Sequence, residues 1–312
     1  MTHDHAGVVE RAVPRPFGRL LTAMVTPFAE DGSLDLDGAA RLAAYLVDEQ
    51  RNDALVVNGT TGEAPTTTDA EKERLIRAVV EAVGDRAKVV AGVGTNDTRH
   101  TIELAAAAEK AGAHGLLVVT PYYNKPPQAG LVHHFTAVAD ATSLPVMLYD
   151  IPHRSGVPIA TETLVRLAEH ERIVAVKDAK GDLVATSWVT SRTDLAFYSG
   201  EDALTLPALA VGAVGLVGTS THLTGALTQQ MISAYDRGEI TEALALHRRL
   251  LPLFTGIFRT QGTLLVKAAL AAHGLPAGPM RPPLVPATEA EIAQLRVDCA
   301  AADLELPDPA AG

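Results

Sequence analysis

Eight short apolar runs, each followed by a helix-like stretch, constrain the fold of this chain more than any other feature. The runs are LLTAMVT (20–26), ALVVN (54–58), KVVAGV (88–93), GLLVVT (115–120), PVMLYD (145–150), RIVAVKD (172–178), LAFYSG (195–200) and VGLVGTS (214–220). Each has strand length, and its hydrophobicity is continuous rather than alternating, so both faces have to be covered. That pattern marks a parallel sheet with helices packed outside it. Between the runs, DLDGAARLAAYLVDEQ begins at acidic caps, TDAEKERLIRAVVEAVGD ends at Gly84, and NDTRHTIELAAAAEKAGA ends near Gly112. Strand then helix, eight times within roughly 220 residues, predicts a closed (β/α)8 TIM barrel rather than an open doubly wound sheet. Beyond about residue 222 the strand pattern stops and only helical segments follow, which gives a C-terminal helical extension. The expected domain layout is a loose N-terminal tail (1–16), the barrel carrying the active site (17–236), a C-terminal helical domain (237–304) and a loose tail (305–312).

Composition removes several function classes. A formal charge of -11 repels phosphate, so nucleic acid is not an expected partner. The single cysteine, Cys299, excludes an intramolecular disulfide framework and fits a reducing compartment. No apolar run resembles a signal-peptide core or reaches the about 18 residues of a membrane span, so no membrane association and a cytoplasmic location are expected.

In a barrel of this type, reactive side chains sit where strands end and the following loops begin. Lys177 ends the run Ile173–Val176, where a charge is normally excluded, and it is one of only seven lysines. Burial disfavours the ammonium form and would free an amine to attack a carbonyl; the same position also suits a lysine paired with Asp150 or Asp178. Tyr149, at the end of VMLY, either relays a proton at a reacting carbonyl or fills a barrel layer. Tyr122 and Tyr123, in TPYYNKPP, either reach a site or meet another subunit. In Asn58–Gly59–Thr60–Thr61–Gly62–Glu63, glycines flank two hydroxyl residues, a turn able to aim N–H groups and hydroxyls at an anion, or simply a glycine-rich turn into a helix. Arg154 adds a fixed positive charge to the same rim, able to grip a carboxylate or to form a surface salt bridge. Lys180 and Lys125 read as solvated loop lysines. No P-loop, GxGxxG, CxxC, HExxH or GxSxG motif is present, and neither a metal nor an organic cofactor is expected.

Taken in order, GTTGE (59–63), TPYYNKP (120–126), YDIPHRSG (149–156), VKDAKGD (176–182) and YSGED (198–202) resemble the pyruvate-dependent class I aldolase and lyase superfamily. Within it the chain is similar to the dihydrodipicolinate synthases (4-hydroxy-tetrahydrodipicolinate synthases) of the actinobacterial type, from about residue 17 to 300. The resemblance implies condensation of pyruvate with aspartate 4-semialdehyde, the first committed step toward diaminopimelate and lysine. It also implies residue roles: Lys177 as Schiff-base lysine; Thr60, Tyr149 and Tyr123 as a proton relay, with Tyr123 supplied by a neighbouring subunit; Thr61 on the pyruvate carboxylate; Arg154 on the carboxylate of the semialdehyde; and Gly200 and Val217 lining the pocket through their backbones. A homotetramer built as a dimer of dimers is implied as well.

Two departures and two competitors accompany the resemblance. Asn96 and Tyr122 match the lysine-sensitive type, whereas Ala64, Pro65, Asp69, Lys72 and His100 stand where that type carries other side chains; Lys72 would repel an ammonium ligand, so weak or absent lysine feedback is expected. Gly218 stands where a serine or similarly small polar residue is usual. The competitors are a related enzyme, an N-acetylneuraminate lyase or 2-keto-3-deoxy sugar acid aldolase, and a non-catalytic barrel that binds a 2-oxo acid. Arg154 and the Tyr123 loop favour the synthase.

Overall fold

The computed structural model describes residues 14–307. Eight parallel strands, β1 (Leu20–Ala23), β2 (Ala54–Val57), β3 (Lys88–Gly92), β4 (Gly115–Val119), β5 (Val146–Asp150), β6 (Ile173–Asp178), β7 (Ala196–Ser199) and β8 (Gly215–Gly218), pair in sequence order and close where β8 meets β1. All eight expected strands form, and the fold is a (β/α)8 barrel. Most are shorter than the apolar runs that announce them, because pairing stops where the chain bends into the loops: Asn58, at the end of ALVVN, turns left-handed with φ 57°.

Continuous hydrophobicity is explained by two separate cores. Outward side chains such as Leu55, Val89, Leu116, Leu148 and Val176 pack against Leu42, Leu46, Leu75, Val79 and Leu104 of the surrounding helices. Inward side chains, among them Leu21, Val56, Val90, Leu117, Met147 and Ala175, fill the barrel. Each large aliphatic side chain buried in this way contributes about 1.5–3 kcal/mol. Tyr198 closes the amino-terminal end, its hydroxyl donating to Gly18 O at 2.9 Å. The opposite end, where the loops gather, is therefore the open one.

The helices start where the caps predict. Asp35 caps Leu36–Asp48 by accepting from Gly38 N, and Thr68 with Glu71 forms a capping box on Asp69–Val83. After β8 come Thr221–Asp236, Ile240–Gly256, Gly262–Ala272 and Glu289–Ala301. Of the expected tails, residues 1–13 and 308–312 lie outside the described residues; Arg15 pairs with Asp236 and Leu306 packs on the outer core.

Candidate active site

Strand register decides which side chains share the barrel mouth. On β5 and β6, Tyr149 is level with Lys177, both face inward, and the lysine Nζ lies 4.3 Å from the centre of the tyrosine ring. Lys177 is 6% exposed. The two carboxylates that could have tied it down are engaged elsewhere. Asp150 is 3.3 Å from Lys180 Nζ and accepts from Ile159 N, while Asp178 accepts from Lys180 N and from the Thr186 hydroxyl. Among the described residues no carboxylate stands within ion-pair distance of Lys177. Lys180 differs from its expected role: its ammonium is largely enclosed and paired, not solvated. Burial pushes the Asp150 carboxyl up to about 6, with Lys180 pulling the other way.

Thr60 and Thr61 are presented by the turn after β2. Gly62 N and Ala64 N both donate to Gly59 O, and the turn is anchored by the Thr26 hydroxyl donating to Gly62 O at 2.7 Å. Thr61 is buried with its Oγ1 3.3 Å from Thr219 Oγ1. Thr219 in turn is fixed by Asp202, whose buried carboxylate takes the N–H groups of Thr219 and Ser220 at 3.2 and 2.9 Å. Burial raises the Asp202 pKa against those bonds.

The open end holds a cavity of about 630 Å³ whose walls include Thr60, Tyr123, Tyr149 and Arg154. Four of the eight expected site residues are thus gathered in one space, and Lys177 is joined to it through its contact with the Tyr149 ring. Lys177, Thr61, Gly200 and Val217 are not among the walls. Val217 is buried among the inward side chains of β8, and Gly200 lies so close to Ala179 that a Cβ would meet the alanine Cβ at 2.8 Å. Glu201 is half-buried; burial and Asp202 raise its carboxyl pKa, while Lys177 and Arg154 lower it. Arg154 is exposed on the short helix Pro152–Ser155. The outer part of the same cavity is walled by Ala64, Pro65, Asp69, Lys72, Asn96, His100 and Tyr122. There His100 Nε2 is 2.9 Å from Asp69.

Thr219, Thr263 and Lys267 were not singled out by their sequence setting. Each reaches the Thr61 turn from far along the chain, Thr263 donating to Thr61 O across 202 residues.

A barrel with one lysine set inside the strand bundle, below hydroxyl and guanidinium side chains on the rim, has the architecture of a lysine-dependent carbon–carbon lyase. Sequence comparison makes the class specific: the chain belongs to the dihydrodipicolinate synthetase family, whose model matches residues 16–302. It is 73% identical over 289 residues to the 4-hydroxy-tetrahydrodipicolinate synthase of Acidothermus cellulolyticus, covering 93% of this chain and 94% of that protein. Among solved structures it is similar to a dihydrodipicolinate synthase of Bacillus anthracis (45% identity, TM-score 0.89, covering 91% of this chain and 98% of the other). It is also similar to the enzyme of Cyanidioschyzon merolae with lysine bound (43% identity, TM-score 0.91, covering 93% and 100%).

Proposed function

We propose that this chain condenses pyruvate with aspartate 4-semialdehyde to give 4-hydroxy-tetrahydrodipicolinate, on the way to diaminopimelate and lysine. The observation that carries the reading is Lys177: an enclosed amine against the ring of Tyr149, which itself walls the cavity, with Asp150 and Asp178 occupied by other partners. Its nitrogen is available to a carbonyl carbon.

The chemistry follows from that nitrogen. Attack on the pyruvate ketone forms a carbinolamine, and loss of water leaves an iminium whose positive nitrogen accepts the electron pair released when a methyl proton departs. The resulting enamine carbon bonds to the semialdehyde carbonyl carbon, and the aldehyde oxygen takes up a proton. Tyr149, Thr60 and Tyr123 move these protons, because a hydroxyl both donates and accepts. Thr61 holds the pyruvate carboxylate, Arg154 meets the carboxylate of the aldehyde, and the backbones at Gly200 and Val217 border the substrate. Arg154 favours this aldehyde over a sugar, since a guanidinium binds carboxylate in two-point geometry. The exposed Tyr123 supports assembly as a dimer of dimers in which it enters the neighbouring site. No helix among the described residues is long and apolar enough to cross a membrane, and the lone buried Cys299 supports a cytoplasmic location.

Borohydride reduction in the presence of pyruvate tests the assignment. The expected result is a pyruvate-derived mass on Lys177, absent in Lys177→Ala, whose turnover of aspartate semialdehyde falls on the order of a thousandfold or more. Labelling that persists in Lys177→Ala would sink the nucleophile, and turnover of N-acetylmannosamine or glyceraldehyde in preference to the semialdehyde would sink the substrate.

A further inference from the structure

The turn that carries Thr60 and Thr61 is fastened to the C-terminal segment by contacts the reaction itself does not use. Thr263, buried at the start of Gly262–Ala272, donates its hydroxyl to Thr61 O at 3.1 Å. Gln261 caps that helix by accepting from Thr263 N. Four residues along, on the same face, Lys267 Nζ lies 2.6 Å from Glu63 Oε1, with side chains only 2% and 1% exposed. Glu63 Oε2 also accepts from Arg281 N at 2.9 Å, and Lys267 donates to Pro279 O at 2.8 Å. One helical face therefore grips Thr61 and Glu63, two positions apart on a single turn.

An enclosed charge pair is a weak source of net stability, since apolar residues of similar volume often serve as well. What it supplies is register. Each charge tolerates a single partner position, so the helix cannot slide along the turn as an apolar anchor could. With the helix so placed, the Thr263 hydroxyl holds the carbonyl of the Thr61–Gly62 peptide. Pinning that carbonyl fixes the plane of the Thr61–Gly62 peptide, and so holds the Thr61 Cα and the hydroxyl-bearing side chain attached to it in one place relative to the helix.

We propose that Thr263 is a positioning residue for the pyruvate-carboxylate site, acting through the Thr61 peptide and held in place by the Lys267–Glu63 pair. This rests on the reading that Thr61 holds that carboxylate. Losing one buried neutral hydrogen bond translates into a factor of roughly three to ten in an equilibrium constant. Thr263→Val is therefore expected to raise KM for pyruvate by that factor, and to raise by the same factor the pyruvate concentration needed for half-maximal borohydride labelling of Lys177. Its kcat and its KM for the aldehyde should stay within about twofold, and Thr263→Ser should restore the wild-type KM.

The control is Asp298→Asn, which removes the Arg259–Asp298 pair elsewhere in the C-terminal region; it should lower thermal stability and leave the pyruvate KM alone. If Thr263→Val does not fold, Thr263→Ala carries the same measurement. A wild-type pyruvate KM in the Thr263 variant, or an equal rise in Asp298→Asn, overturns the proposal. Failure of the wild-type protein to take the label at Lys177 would instead overturn the functional reading beneath it.

Discussion

Two loops on the same rim carry residues of the proposed site, and they are built in opposite ways. The turn 58–63 is packed into the protein: the Thr26 hydroxyl, Thr263 and the Lys267–Glu63 pair all hold it from within the chain. The loop 120–126 stands outward, with Tyr123 87% exposed and the Asn124 side chain donating to Asn96 O as a local tie. Yet both contain non-glycine residues with left-handed backbone, Asn58 and Glu63 in the first, Tyr123 and Lys125 in the second. Such a conformation costs about 1–3 kcal/mol and persists only where its surroundings determine it. In the turn those surroundings are visible. Around Tyr123 the chain supplies few, and in the proposed assembly a second copy would supply the rest.

The largest expected effect tests the packed loop. Lys267→Met strands the Glu63 carboxylate without its cation and should cost about 3–5 kcal/mol, read from urea unfolding, whereas pairing it with Glu63→Met should recover much of that loss. A loss below about 1 kcal/mol in the single variant would mean the turn does not depend on the pair. Tyr123→Phe tests the outward loop, and here the contrast should invert: stability stays within about 0.5 kcal/mol, while kcat falls about a hundredfold as a proton-relay hydroxyl is lost. Mixing that variant with Lys177→Ala sharpens the point. Shared assemblies combine an intact lysine from one copy with an intact tyrosine from the other, so activity should rise above the sum of the two. A strictly additive mixture would place Tyr123 in its own protomer's site.

How far the molecule was legible before folding depends on the range of the interaction. Continuous apolar runs announce strands because covering both faces is a local demand, and all eight formed; their ends overran because a loop's onset depends on partners elsewhere. LLTAMVT was expected to run to Thr26, but β1 stops at Ala23, and the Thr26 hydroxyl is spent on Gly62 O. Lys177 was conspicuous as a charge ending an aliphatic run. Lys267 stands out by the same logic, inside TLLVKAAL, but a lysine in a helix, away from the rim, carries no local sign of the carboxylate it meets. What no local pattern discloses is pairing. Whether Asp150 serves Lys177 or Lys180 depends on how a strand and the following loop lie against each other, and so does the 3.3 Å approach of Thr61 to Thr219 across 158 residues.

The smallest expected effect lies under the outward loop, where Tyr122 and Asn96 wall the outer part of the cavity. The related enzyme of Cyanidioschyzon merolae was solved with lysine bound, but this cavity presents a cation of its own. Lys72 sits half-buried, its Nζ donating to Thr67 O and lying 3.9 Å from Asp69, whose carboxylate also meets His100. Desolvation lowers the Lys72 pKa, and Asp69 and Glu71 oppose that shift. A lysine effector would bring a second ammonium toward the first, and like charges set together in a partly enclosed site cost several kcal/mol. Low-millimolar lysine is therefore expected to change the initial rate by less than about twofold, and Lys72→Ala should increase whatever sensitivity there is. Half-inhibition of the unaltered enzyme in that range would show that the outward side of the rim accepts the effector despite Lys72, and that the repulsion argument fails there.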